Sequence, residues 1–301
     1  MKIEIEDTIK QYETCFALPE EKRPDYFRFA MMGPFEQMWN RISVPLRTPI
    51  PGGYDVVMAA NMLGYLTLSD SEKGLRALEE MKRMQAMETV RRALNDCVLF
   101  IGQAGMRIKE DELKFGLYIA DPEKLKLQKS YCGFGGIPGF IQVSIFPNAY
   151  NKSRLPAIIA HEFNHNLRFS HVAWNHGNVT VGDYLVIEGL AECFAEELYG
   201  ADRLGPWVED AQKGGSDFER SVSIFVEALH VKGFSEVAGF MFGDEIALEQ
   251  GYEPVGLPAF AGYAVGYATV RAFLKRTGVS IAEASIMSTE EIIWESGFFR
   301  L

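Results

Sequence analysis

The run Leu155-Pro156-Ala157-Ile158-Ile159-Ala160-His161-Glu162-Phe163-Asn164-His165-Asn166-Leu167 carries two superimposed patterns. Leu155, Ile158, Ile159, Phe163 and Leu167 recur at helical spacing, which predicts a helix with one apolar face. His161 and His165 lie four residues apart, so on that helix they share a face and can bind one ion through two imidazole nitrogens. Glu162 is offset from His161 by about 100° in a helix of 3.6 residues per turn. That keeps it off the ion but within reach of a water beside it, where a general base belongs. Ile158, Ile159, Ala160 and Leu167 carry no charge, so the helix can be buried on one side and the cleft kept partly dry.

A catalytic zinc site has three protein ligands and one open position, and a carboxylate serves well as the third. Glu188 is the candidate, inside Glu188-Gly189-Leu190-Ala191-Glu192 on a second predicted helix. Gly189 and Ala191 lack bulk, which would let that helix approach the first. Glu192, one turn on, is placed to accept a hydrogen bond from an imidazole and fix its tautomer. His171 stands at the third-histidine distance of the pattern HExxHxxGxxH, but Arg168 occupies the glycine position and obstructs the sharp turn that pattern needs. We therefore read His171 and His176 as loop histidines, and Glu196 and Glu197 as solvated charges.

Working outward, residues 140–146 alternate as a half-buried strand, with Ile141, Val143 and Ile145 on one face and Gln142 and Ser144 on the other. The glycine-rich residues 133–139 before it read as a loose segment, and Asn148, Asn151 and Ser153 as the turn into the metal helix. Residues 98–101 and 115–120 are short apolar runs of strand length. Upstream, residues 8–95 are mainly helical, with Ser69 or Asp70 as a cap for the charged run that follows. Downstream, residues 186–199 and 260–276 read as helices stopped by Gly200 and Gly278. The expectation is an α+β fold: a helical region over residues 1–96, then a catalytic domain over 97–301. In that domain, residues 97–170 hold a small mixed sheet and the HExxH helix, and 171–301 form a mainly helical lobe.

Composition narrows the partners. Forty-one acidic residues against thirty basic ones give a formal charge of −11, which repels phosphate backbones and anionic membranes, so neither nucleic acid nor a membrane is expected. The charge-free residues 131–151 are broken by prolines and glycines, and 254–270 are too short to cross a bilayer. Residues 1–10 show neither a secretory signal nor a lipidation motif, which points to the cytoplasm. Cys15, Cys97, Cys132 and Cys193 form no CxxC pair and read as small hydrophobes.

Three segments carry a family resemblance: residues 133–147 leading into Ile159-Ala160-His161-Glu162-Phe163-Asn164-His165, then Val186-Ile187-Glu188-Gly189-Leu190-Ala191-Glu192, then Ala261-Gly262-Tyr263-Ala264-Val265-Gly266-Tyr267. In these the chain resembles a bacterial family of predicted zinc-dependent proteases, itself similar to the thermolysin-like or gluzincin group. The resemblance implies a zincin (gluzincin-like) fold and peptidase activity.

The expected activity is hydrolysis of peptide bonds in peptides or unfolded proteins. One Zn²⁺ on His161, His165 and Glu188 activates a water, and Glu162 acts as general base. Tyr263 is the expected oxyanion donor, with Tyr267 and His230 as alternatives. Residues 140–146 are a candidate edge for an extended substrate, with an internal, doubly paired strand as the competing reading. Two other functions fit the same motif: a catalytically silent binding or regulatory module, and a zinc hydrolase of a non-peptide amide or ester.

Overall fold

A computed structural model describes residues 1–50, 52–174 and 176–299. By their contacts they divide into two compact units, residues 1–96 with 108–162 and residues 97–107 with 163–301. The fold is α+β with a helical majority and one small mixed sheet. Among the described residues no helix is long and apolar enough to cross a membrane.

The first unit is built on the sheet. Its strands are β1 (Lys2–Ile5), β2 (Glu112–Ile119), β3 (Tyr131–Ile137) and β4 (Phe140–Ile145), in the order β1-β2-β4-β3. β1 and β4 both run parallel to β2, and β3 is antiparallel to β4, with Lys2 opposite Glu112 and Phe115 opposite Ile141. β4 is buried along its whole length, as a strand paired on both sides and covered on both faces must be. Helices α1 (Thr8–Ala17) and α2 (Ser71–Arg83) pack on each other and on β2. Asp70 caps α2, its carboxylate accepting from the Lys73 amide, whereas Ser69 turns to Thr67. Tyr12, Phe35, Trp39, Phe115 and Tyr118 fill the core, with Phe35 and Tyr118 edge to face at 6.2 Å.

Two expectations are corrected here, and one open alternative is decided. Residues 98–101 are not a strand: they lie inside helix α3 (Ala86–Gln103), which buries Val90, Leu94, Cys97 and Ile101 at helical spacing and exposes Leu99. Residues 133–137 are not loose, since β3 includes Gly133, Gly135 and Gly136 as strand residues. The 140–146 segment is not a sheet edge, because β4 is paired by β2 on one side and β3 on the other, so β3 and β1 are the terminal strands.

The second unit centres on two long helices, α5 (Val181–Tyr199) and α7 (Ala261–Thr277). They meet with almost no side chain between them: a Cβ on Gly189 would overlap the Gly266 carbonyl, and one on Gly266 would overlap that of Leu185. Gly189 therefore serves this contact. Helix α8 (Thr289–Ser296) packs on both, and α6 (Ser216–Ala228) contributes Phe225 to a core that includes Leu185, Met241 and Val265. α5 ends at Gly200 (φ 87°) and α7 at Gly278 (φ 73°), left-handed positions that favour glycine. None of the four cysteines forms a disulfide among the described residues, and Cys15, Cys97 and Cys193 are buried.

Candidate metal centre

Helix α4 (Leu155–His171) carries His161, Glu162 and His165. The turn before it is knitted to the sheet by Asn151, which is fully buried. Its amide nitrogen donates to the carbonyls of Lys129 (3.0 Å) and Phe146 (2.9 Å), and its oxygen accepts from the Asn148 amide at 2.9 Å. Further along, the Asn164 amide nitrogen donates to Ser285 Oγ at 2.6 Å. Arg168 reaches the carbonyls of Ser285 (3.1 Å) and Met287 (3.0 Å) and the Thr289 hydroxyl (3.3 Å). Phe163 stacks on Phe194, which meets Phe100 edge to face at 5.3 Å. Hydrogen bonds and aromatic packing thus fix where α4 starts and how it is rotated.

α5 supplies the third group. Thr180 and Asp183 form a reciprocal capping box at its start, and most of the helix beyond is buried. Burial of Glu188 (5% exposed) and Glu192 (2% exposed) on so apolar a helix calls for a partner, since a lone buried carboxylate is costly. For Glu192 one partner is Trp207, whose indole N–H donates at 2.7 Å. For Glu188 the surroundings are imidazoles. Ligand atoms of His161, His165 and Glu188 all lie within 4.8 Å of one another. His165 Nε2 and Glu188 Oε2 are 3.6 Å apart. That is longer than a good hydrogen bond. It is close to the ~3.4 Å that separates two ligands held at ~2.0–2.1 Å in a tetrahedron. The three residues together are compatible with binding a metal ion.

Glu162 is 6% exposed and lies against β3. A Cβ on Gly133 would overlap its carboxylate, and one on Gly135 would overlap its backbone carbonyl. These glycines went unrecognised in the sequence as site residues. The available signal was their alternation: glycines two apart in a strand face the same way and mark close approach of another backbone.

The remaining candidates are spread out. His171 is still helical, and its Nε2 lies 2.8 Å from the Arg107 carbonyl, so the sharp turn of the three-histidine pattern is absent. The side chain of His176 lies outside the described residues. His230 is exposed rather than a core residue. Glu196 pairs with Arg271, so it is not a plain solvated charge. Tyr267 is buried, and its hydroxyl accepts from Arg271 at 2.9 Å. Tyr263 is half-buried among aromatic rings, 5.1 Å from Trp207 and 5.7 Å from Phe260. Burial pushes the Cys193 thiol pKa well up, so it stays neutral beside Glu192.

Comparison with known proteins places these residues in a family context. A family model described as "Predicted Zn-dependent protease (DUF2268)" matches residues 86–294, which include every member of the cluster. The chain is 54% identical to "Uncharacterized protein YjfC" of Bacillus subtilis (strain 168) over 99% of both chains. It is 24% identical to "Uncharacterized protein YjaZ" of the same organism over 46% of this chain and 49% of that one. No solved structure gives a significant match.

Proposed function

The chain belongs to the family of predicted zinc-dependent proteases, and from that premise we propose that it is a metallopeptidase holding one Zn²⁺ through His161, His165 and Glu188. The observation that carries the proposal is the convergence of two imidazoles and one buried carboxylate beside a second carboxylate on the same helix. Two nitrogens and one oxygen are a common donor set for a catalytic zinc with an open position. What zinc supplies at such a site is Lewis acidity, which polarises a carbonyl and lowers the pKa of water to about 7.

The chain's own residues do the rest. Glu162 accepts the proton of the attacking water as the C–O bond forms, then delivers it to the amine as the C–N bond breaks. Trp207 holds Glu192, one turn beyond Glu188, and Tyr263 packs on the Trp207 ring. Tyr263 is the oxyanion donor in this reading; Tyr267 is buried with its oxygen held by the Arg271 guanidinium, and His230 is exposed. An extended peptide fits best beside β3, the terminal strand next to Glu162, which would recognise peptides or unfolded segments through their main chain.

The test combines metal analysis with cleavage of a quenched-peptide panel. Glu162→Gln should keep stoichiometric zinc and lose about a hundredfold or more in rate, the magnitude of general-base catalysis. His165→Ala and Glu188→Ala should lose the metal. Full zinc retention in Glu188→Ala would move the third ligand elsewhere. A zinc-loaded wild type that cleaves esters or simple amides but no peptide would reassign the substrate class.

A further inference from the structure

A polar cavity of about 190 Å³ lies between α4 and α5, and none of His161, His165 and Glu188 is among its lining residues. Arg168 forms one wall. It is 2% exposed, and among the described residues no carboxylate oxygen comes within ion-pair distance of it. A guanidinium offers five N–H donors. Two on Nη1 go to Ser285 and Met287 and one on Nη2 to Thr289. Nε–H and the second Nη2 hydrogen meet no acceptor among the described residues. Burial pushes the group's pKa down to about 10, so it remains a cation at neutral pH.

Asp183 lines the same cavity. Its Oδ2 accepts from the backbone and hydroxyl of Thr180, while Oδ1 meets no donor among the described residues. The lining thus brings together an unmet pair of donors on Arg168 and an unmet carboxylate oxygen on Asp183, with Val172, Trp174 and Ile187 as apolar wall. A simple anion would satisfy Arg168 but face Asp183, and a simple cation would do the reverse. A molecule carrying both charges on neighbouring carbons suits both groups. An engineered cavity of about 150 Å³ holds a benzene ring. The present one by the same ratio admits roughly eight heavy atoms, about the size of a medium amino acid.

We propose that this cavity binds a free α-amino acid of medium apolar side chain, its carboxylate on Arg168 and its ammonium on Asp183. The proposal does not depend on peptidase activity, and its readout is binding alone. Calorimetric titration of the full-length protein with L-leucine should give saturable binding. Leucinamide, which lacks the carboxylate, and N-acetyl-leucine, which lacks the ammonium, should each bind at least tenfold more weakly. Asp183→Asn keeps an acceptor for the Thr180 cap and should weaken L-leucine by a similar factor, at unchanged far-UV circular dichroism. Chelation at the metal centre would survive that substitution, so full affinity in Asp183→Asn overturns the proposal. So does equal binding of the two blocked analogues. Absence of saturable binding by glycine, valine, leucine and phenylalanine alike would mean the cavity holds only water.

Discussion

A methyl group at Gly133 would collide with the end of the Glu162 side chain, whereas one at Gly135 would collide with the helix backbone. The two substitutions therefore have different outcomes. In Gly133→Ala the carboxylate can swing aside, so, on the proposed peptidase mechanism, turnover should fall by an order of magnitude or more while zinc content and melting temperature hold, since misplacing a proton acceptor is costly. In Gly135→Ala strand and helix must separate, at a cost of about 1–3 kcal/mol for overpacking. Thermal denaturation beside metal analysis distinguishes them. The contrast also explains what was legible at this scale. His161, Glu162, His165 and Glu188 announce themselves as candidates because metal-binding and proton-accepting groups are particular residue types at particular helical offsets. Gly133 and Gly135 act by lacking a side chain, and in a sequence that resembles looseness.

Among the elements, the contact of α5 with α7 is the closest to a fixed joint, because Gly189 and Gly266 let backbone meet backbone. Gly266→Ala should force the helices apart and lower stability by about 1–3 kcal/mol, read as a fall in the denaturant midpoint at unchanged slope. Both helices were legible from their apolar runs and stop glycines. Which helix Gly189 faces was not, since spacing alone does not name the partner. The same ambiguity misassigned residues 98–101: four apolar residues in a row fit a strand or a buried helix equally. The longer recurrence of Val90, Leu94, Cys97 and Ile101 decides for the helix. β4 read correctly as a strand, but its neighbours depend on β1 and β3, which local pattern does not disclose.

For the whole molecule, a ligand that binds only the folded state stabilises it by RT ln(1 + [L]/Kd), about 2.7 kcal/mol at a hundredfold excess over Kd. If His161, His165 and Glu188 hold zinc, chelation should lower the melting temperature by several degrees, and added zinc should restore it. Glu188→Ala should melt at the same temperature with and without chelator. The sheet adds a constraint of a different kind. Lys2 pairs with Glu112, 110 positions later. During synthesis the earliest segment of the sheet must therefore remain without its neighbour until more than a third of the polypeptide has followed it. Closing so large a loop is slow relative to local helix formation. Because β4 ends at Ile145, completion of this sheet is tied to near-complete translation of the unit that contains it, and an appendage fused ahead of Lys2 would sit at the point where this long-range pairing has to be made.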